Sequence, residues 1–419
     1  MEFDNSIEFF YWAWKSKIER TATQKVYKII KKEKIKTTPK EAIATFENML
    51  IKYLNHCGKI RAQRNAITSL KENLSPSEAI IHVDFSENYK CQFSREIQAV
   101  HFGGSKQQIS LHTSVLYYFD VNQVKVTKCY ATASTNTRHD AAAVWAHLMP
   151  LLEFIQKHAP STTTLHVISD SAGSQYRNLK MYFIITALHW SFTNIEHITW
   201  NFTEAGHGKG APDGVGAVLK RSANNLVKCG KDIPDLTTFV ELLKEHLNNV
   251  IIDTVSEYAI FEKDLLLPKN LQHFKGTQKV HQIVWNLNKK AMVALRILSC
   301  TESSCRILAN RCPHGNHLSF HEPLLKALPR VRILSDVLIR SAYQESISNS
   351  TFVASPIRSP AFSALSELEL PSELQRSSLD NILAKGYDDK ENIADNVIEQ
   401  SDSSDSFEIF PRMKKKHEF

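Results

Sequence analysis

The chain has 419 residues, 42% of them hydrophobic, which is enough for a sizeable core. Its formal net charge of +7 is compatible with a polyanionic partner and equally with ordinary surface charge. Seven scattered cysteines, an odd number, argue against a secreted disulfide framework and fit a reducing compartment, nucleus or cytoplasm.

The opening MEFDNSIEFFYWAWK lacks the basic and apolar regions of a signal peptide, and no uncharged apolar run is long enough to span a bilayer. Neither secretion nor a membrane partner is expected. Residues 1–77 read as a helical, lysine-rich preface. KIIKKEKIKTTPK (Lys28 to Lys40) is a basic run, either a phosphate-contacting or import patch or a solvated helix end. Ala42, Phe46, Met49, Leu50, Tyr53 and Leu54 recur at helical spacing, and a second helix is expected over Arg61 to Leu74.

From Ile80 the period changes. IIHVDFS (Ile80 to Ser86), IQAVHFG (Ile97 to Gly103), ISLHTSVLYYFD (Ile109 to Asp120) and KVTKCYATAS (Lys125 to Ser134) read as strands of an antiparallel meander. Asp140 to His158 is an amphipathic helix, TLHVISD (Thr164 to Asp170) a buried strand, and Ser174 to Trp190 an apolar helix. HITWNFT is the next strand, followed by a glycine-rich bend and a helix over Ala211 to Lys228. Further helix is expected across Ile233 to Val255, and HQIVWNL (His281 to Leu287) reads as a short strand or helix.

Strands in a meander followed by alternating helix and strand make an α/β chain with the ribonuclease H-like layout, expected over 78–230. A helical, Cys/His-bearing subdomain would follow over 231–340. The tail at 341–419, rich in Ser, Asp, Glu and Pro, has the composition of a disordered segment.

In that layout three places converge at one sheet edge, and here they hold Asp84, Asp170 and Asp213. Singly, each has an ordinary reading as a turn or cap residue. Together they can relieve their mutual repulsion by holding Mg²⁺ or Mn²⁺, hard cations that select carboxylate oxygen. Such ions activate a water or hydroxyl and stabilise the leaving oxygen of a phosphodiester. Glu204 competes with Asp213 as the third acid, with topology favouring Asp213. Lys209, with the amides of the glycine loop, would face phosphate, and His207, Lys220 and Arg221 stand close by in sequence. The loop brushes the dinucleotide fingerprint, but its spacing is wrong and Asp213 would repel a pyrophosphate. A purely structural bend is the remaining alternative.

Cys300, Cys305, Cys312, His314, His317 and His321 are zinc-type ligands at short spacing, with Pro313 and Gly315 suited to a knuckle. The spacing matches no standard finger, so scattered core cysteines and surface histidines are the competing reading.

HVDFSENYKC, EIQAVHFGGSKQQISLHT, SDSAGSQYRN and EAGHGKGAPDGVGAVLKR resemble a group of transposon-derived proteins dispersed in arthropod and cnidarian genomes and similar to polydnavirus (bracovirus) genes. The resemblance covers about residues 45–230. It implies an acidic-triad, ribonuclease H-like core similar to cut-and-paste transposases, with Asp84, Asp170 and the acid of GHGKGAPDG as metal ligands and DNA as partner. A self-assembled oligomer is compatible with it. No zinc-finger or helix-turn-helix module is evident ahead of the core, a departure from a full transposase. Two functions follow: a metal-dependent nuclease or strand-transferase, or a catalytically inactive domesticated transposase or viral protein that serves as a DNA-binding or protein-interaction module.

Overall fold

Residues 9–20, 26–95, 106–302, 305 and 310–324 are described by a computed structural model. The chain divides into two compact units, the first ending at Lys59 and the second beginning at Ile60. The first differs from expectation. In place of helix before Pro39, strands β1 (Phe9–Arg20) and β2 (Val26–Thr37) pair antiparallel, from Phe9 opposite Thr37 to Arg20 opposite Val26. Aromatic and β-branched residues alternate with lysine there, and cross-strand pairs such as Trp12 with Lys34 suit a ribbon better than a helix. A single helix, α1 (Pro39–Glu72), then runs through both expected helices, with Gly58 tolerated in its interior.

The second unit is mixed α/β, built on one large mixed sheet. Its centre follows the predicted order: β3 (Glu78–Lys90), β4 (Gln108–Phe119) and β5 (Lys125–Ser134) pair antiparallel in succession. Strands β6 (Thr164–Ser169) and β7 (His197–Phe202) then add parallel beside β3. The expected strand at 97–103 falls on residues 96–105, outside those described.

Every residue of β6 is buried, as a parallel strand covered on both faces requires. Helices α2 (Ala141–His158) and α3 (Leu179–Ala187) share one hydrophobic cluster with the sheet. The end of α1, with α4 (Ala211–Lys228) and α5 (Leu236–His246), builds a second cluster around Ile80, Leu111 and Ile168. Asp140 caps α2 by accepting from Ala143 N–H, and Asn178 caps α3 by accepting from Met181 N–H.

The apolar run expected as helix through Val255 stops at His246. Its last part, VIIDT, becomes β8 (Val250–Thr254), parallel to β5. Val250, Ile251 and Ile252 fit a pleated edge better than a further helical turn. A helix α6 (Glu257–Leu266) follows. HQIVWNL supplies β9 (Gln282–Asn286), which with β10 (Val293–Arg296) and β11 (His317–His321) extends the opposite side of the same sheet. The tail at 341–419 lies outside the described residues. No helix of the described residues is long and apolar enough to cross a membrane.

Candidate functional site

The three parallel central strands send their carboxyl ends to one edge, where the chain turns at 170–178 and 203–210. Asp170 follows the last residue of β6. Asp84 lies on β3 beyond its last pair with β6 and opposite Thr113 of β4, whose hydroxyl donates to the Asp84 carbonyl at 3.2 Å. Asp213 occupies the first turn of α4.

Glycine sets how closely these parts approach. A Cβ on Gly208 would stand 2.7 Å from the Cβ of Asp170, so only glycine lets the loop lie over that acid. A Cβ on Gly216 would stand 2.6 Å from Oγ and 2.9 Å from Cβ of Ser86, two residues beyond Asp84. Gly214 in the same helix faces open space. Gly216→Val is therefore expected to cost about 1–3 kcal/mol through overpacking, while Gly214→Ala stabilises by about 0.5–1 kcal/mol through helix propensity. Urea unfolding of the two variants checks both signs.

The acids affect one another. Burial, then the charges of Asp170 and Asp213, push the Asp84 carboxyl up to about 8, against a partial offset from the Phe85 N–H. Burial also raises Asp170, opposed by its bond from Ala172 N–H and by Arg177, with Asp213 adding to the rise. Asp213 is exposed, and its carboxylate accepts from Gly210 N–H at 2.8 Å, closing the first turn of α4. Burial and mutual repulsion thus raise both Asp84 and Asp170 above the usual carboxylate range. Elsewhere among the described residues, Cys300, Cys305, Cys312 and His314 form a group that could hold a metal ion, their ligand atoms all within 4.8 Å of one another.

Glu204, the rival third acid, is buried elsewhere on the loop. Its carboxylate lies 2.5 Å from His281 Nε2, and its charge acts on Arg177. Lys209 and His207 are exposed on the loop. Arg221 is exposed on α4, and Lys220 reaches toward Glu87 at 3.9 Å. His317, expected among the zinc-type ligands, and His321 lie on β11, with His317 opposite Arg296 in register. His317 is outside the four-residue group.

Sequence reasoning passed over several residues that shape this edge. Tyr176 is fully buried, its hydroxyl 3.0 Å from His112 Nε2. Burial first, then Asp84 and Asp170, raise that hydroxyl's pKa, so Tyr176 stays protonated beneath the two acids. Arg177 is buried, donates to the carbonyls of Gln278 at 2.7 Å and Thr203 at 3.4 Å, and so ties down the start of the glycine loop. His82 is buried against Gly210, and burial, with Lys71 adding, lowers it to about 3. The signal was there: Tyr and Arg follow Asp170 by six and seven residues in SDSAGSQYRN, and His82 shares β3 with Asp84.

Fold and site together describe an α/β protein with an acidic edge at the carboxyl ends of parallel strands. A family described as a domain of unknown function (DUF8701) matches residues 63–299, more than half of the chain, and the chain belongs to that family. No curated protein and no solved structure matches it.

Proposed function

We propose that the second unit is a ribonuclease H-like, transposase-derived core that cleaves or transfers DNA phosphodiesters with Mg²⁺ or Mn²⁺. The order β5-β4-β3-β6-β7, with only β4 of these five strands reversed, supports the fold. The observation that carries the chemistry is geometric: Asp84 on β3 beyond its last pair with β6, Asp170 directly after β6 and Asp213 in the first turn of α4 interact electrostatically at one sheet edge.

In this reading Asp84 and Asp170 supply the permanent carboxylate ligands, and Asp213 completes the set by leaving its cap on Gly210. A bound divalent cation supplies charge neutralisation at phosphate and activation of the attacking oxygen. Arg177 and the glycines hold the loop against Asp170. Lys209, exposed on that loop, faces the DNA backbone, with Arg221 on the following helix adding positive charge.

One observation favours the second reading, an inactive descendant that keeps the fold for DNA or protein binding: Asp213 already serves as a cap, its carboxylate accepting from Gly210 N–H. Incubation of the full chain with supercoiled plasmid and Mn²⁺ separates the two. Nicking that EDTA abolishes supports the catalytic reading; intact plasmid and intact single strands in both Mn²⁺ and Mg²⁺ support the inactive one.

A further inference from the structure

We propose that Cys300, Cys305, Cys312 and His314 bind one structural Zn²⁺ that clamps the β10–β11 connection onto the base of the glycine loop. The three cysteines are buried, form a cluster of their own and are not in disulfides. The separations have the pattern of a tetrahedron. Zinc with sulfur at about 2.3 Å and nitrogen at about 2.0–2.1 Å sets two sulfurs about 3.8 Å apart, and sulfur and nitrogen about 3.5 Å apart.

Here Cys305 and Cys312 Sγ are 3.6 Å apart, and His314 Nδ1 lies 3.5, 3.4 and 3.8 Å from Sγ of Cys300, Cys305 and Cys312. All four ligand atoms fall within 4.8 Å of one another. Three soft thiolates and one imidazole select zinc over Mg²⁺ or Mn²⁺, and four protein ligands leave no open position, the mark of a structural site. Binding releases the three thiol protons and leaves a net charge of −1 on the centre. The fully buried Arg296, whose Nη1 donates to the Cys305 carbonyl at 2.9 Å, stands ready to offset it.

The position gives the clamp its use. Arg296 Nη1 also donates to Gln282 Oε1 at 2.8 Å, and that oxygen accepts from Cys300 N–H at 3.1 Å. Gln282 and Ser299 both donate to Asn201 on β7 at 2.9 Å. Gln63 of α1 accepts from Ser299 N–H at 2.8 Å and donates to the Phe202 carbonyl at 2.7 Å. A chain of buried amides thus runs from the first zinc ligand to the last residue of β7, where the glycine loop begins. Each link leaves an unsatisfied polar group if the knuckle opens.

The test is metal content of the full chain, purified under reducing conditions without chelator. About one zinc per chain is expected, falling at least tenfold in Cys300→Ser, Cys312→Ser and His314→Ala and unchanged in His317→Ala. In case the cysteine variants fail to fold, Co²⁺ replaced into the wild-type chain should show the sulfur-to-metal absorption and intense visible bands of a tetrahedral thiolate site. A metal-free folded chain in which Cys300, Cys305 and Cys312 are all free thiols, a Cys305–Cys312 disulfide, or cobalt spectra without thiolate bands would overturn the proposal. These readouts do not involve DNA, so a zinc-loaded chain that cleaves nothing counts against the nuclease reading alone.

Discussion

Asp84→Asn is expected to make the folded chain more stable at pH 8 than the wild type, with the two nearly equal at pH 4. Asp84 is raised from an ordinary 3.8 to about 8 by burial, Asp170 and Asp213. Between those values the folded chain keeps a proton that the unfolded chain has released, so this group's contribution makes stability fall as pH rises through the window. The full shift corresponds to several kcal/mol, but Asp84 is only partly buried, and solvent screening reduces the expected difference at pH 8 to on the order of 2–3 kcal/mol.

The buried histidines act oppositely. His82 and His147, lowered to about 3 mainly by burial, add stability as pH rises toward 6.5. The quantity to follow is therefore the difference between wild type and Asp84→Asn in urea unfolding across pH 4–8, in which the histidine contribution cancels. A difference that stays flat with pH would place Asp84 in ordinary solvent.

The same substitution, and Asp170→Asn, should each lower Mn²⁺-dependent nicking by at least about 10³-fold, since a metal ligand at the reacting centre acts as part of a unit. Stability and activity then move in opposite directions at Asp84, which unfolding cannot mimic. Lys209→Ala, by contrast, should weaken DNA binding and flatten its salt dependence by about one phosphate contact. Glu204→Gln should affect folding more than chemistry, because its carboxylate lies against His281 within the loop's base. Equal losses in nicking for Glu204→Gln and Asp170→Asn, with both variants folded, would reassign the third acid.

Much of the central sheet was legible. Isoleucine- and valine-rich runs leading into Asp84 and Asp170, with an amphipathic helix between, mark β3, β6 and α2 as strand, strand and helix. The N-terminal ribbon was hidden because lysine-rich alternation in KIIKKEKIK fits a solvated helix end as readily as a strand. The strand β8 was hidden because LLKEHLNNVIIDTV is apolar at either period, and only its parallel partner β5 decides between them. At the site, the positions of the acids could be read but not their partners. That Asp213 spends its carboxylate on Gly210, and Glu204 on His281, depends on a loop path set by close approaches to Asp170 and His82. The zinc-type residues were visible from spacing, yet which histidine joins three cysteines depends on where β11 begins, and that leaves His317 on the strand.

Calorimetric titration of the full chain with Mn²⁺ at pH 8 tests the acidic edge most directly. Saturable binding, lost in both Asp84→Asn and Asp170→Asn, with proton release that tracks the raised Asp84, is the result predicted here. Equal heats in wild type and both variants, or no heat in any of them while the chains remain folded, would contradict a cation site formed by Asp84 of β3 and Asp170 after β6.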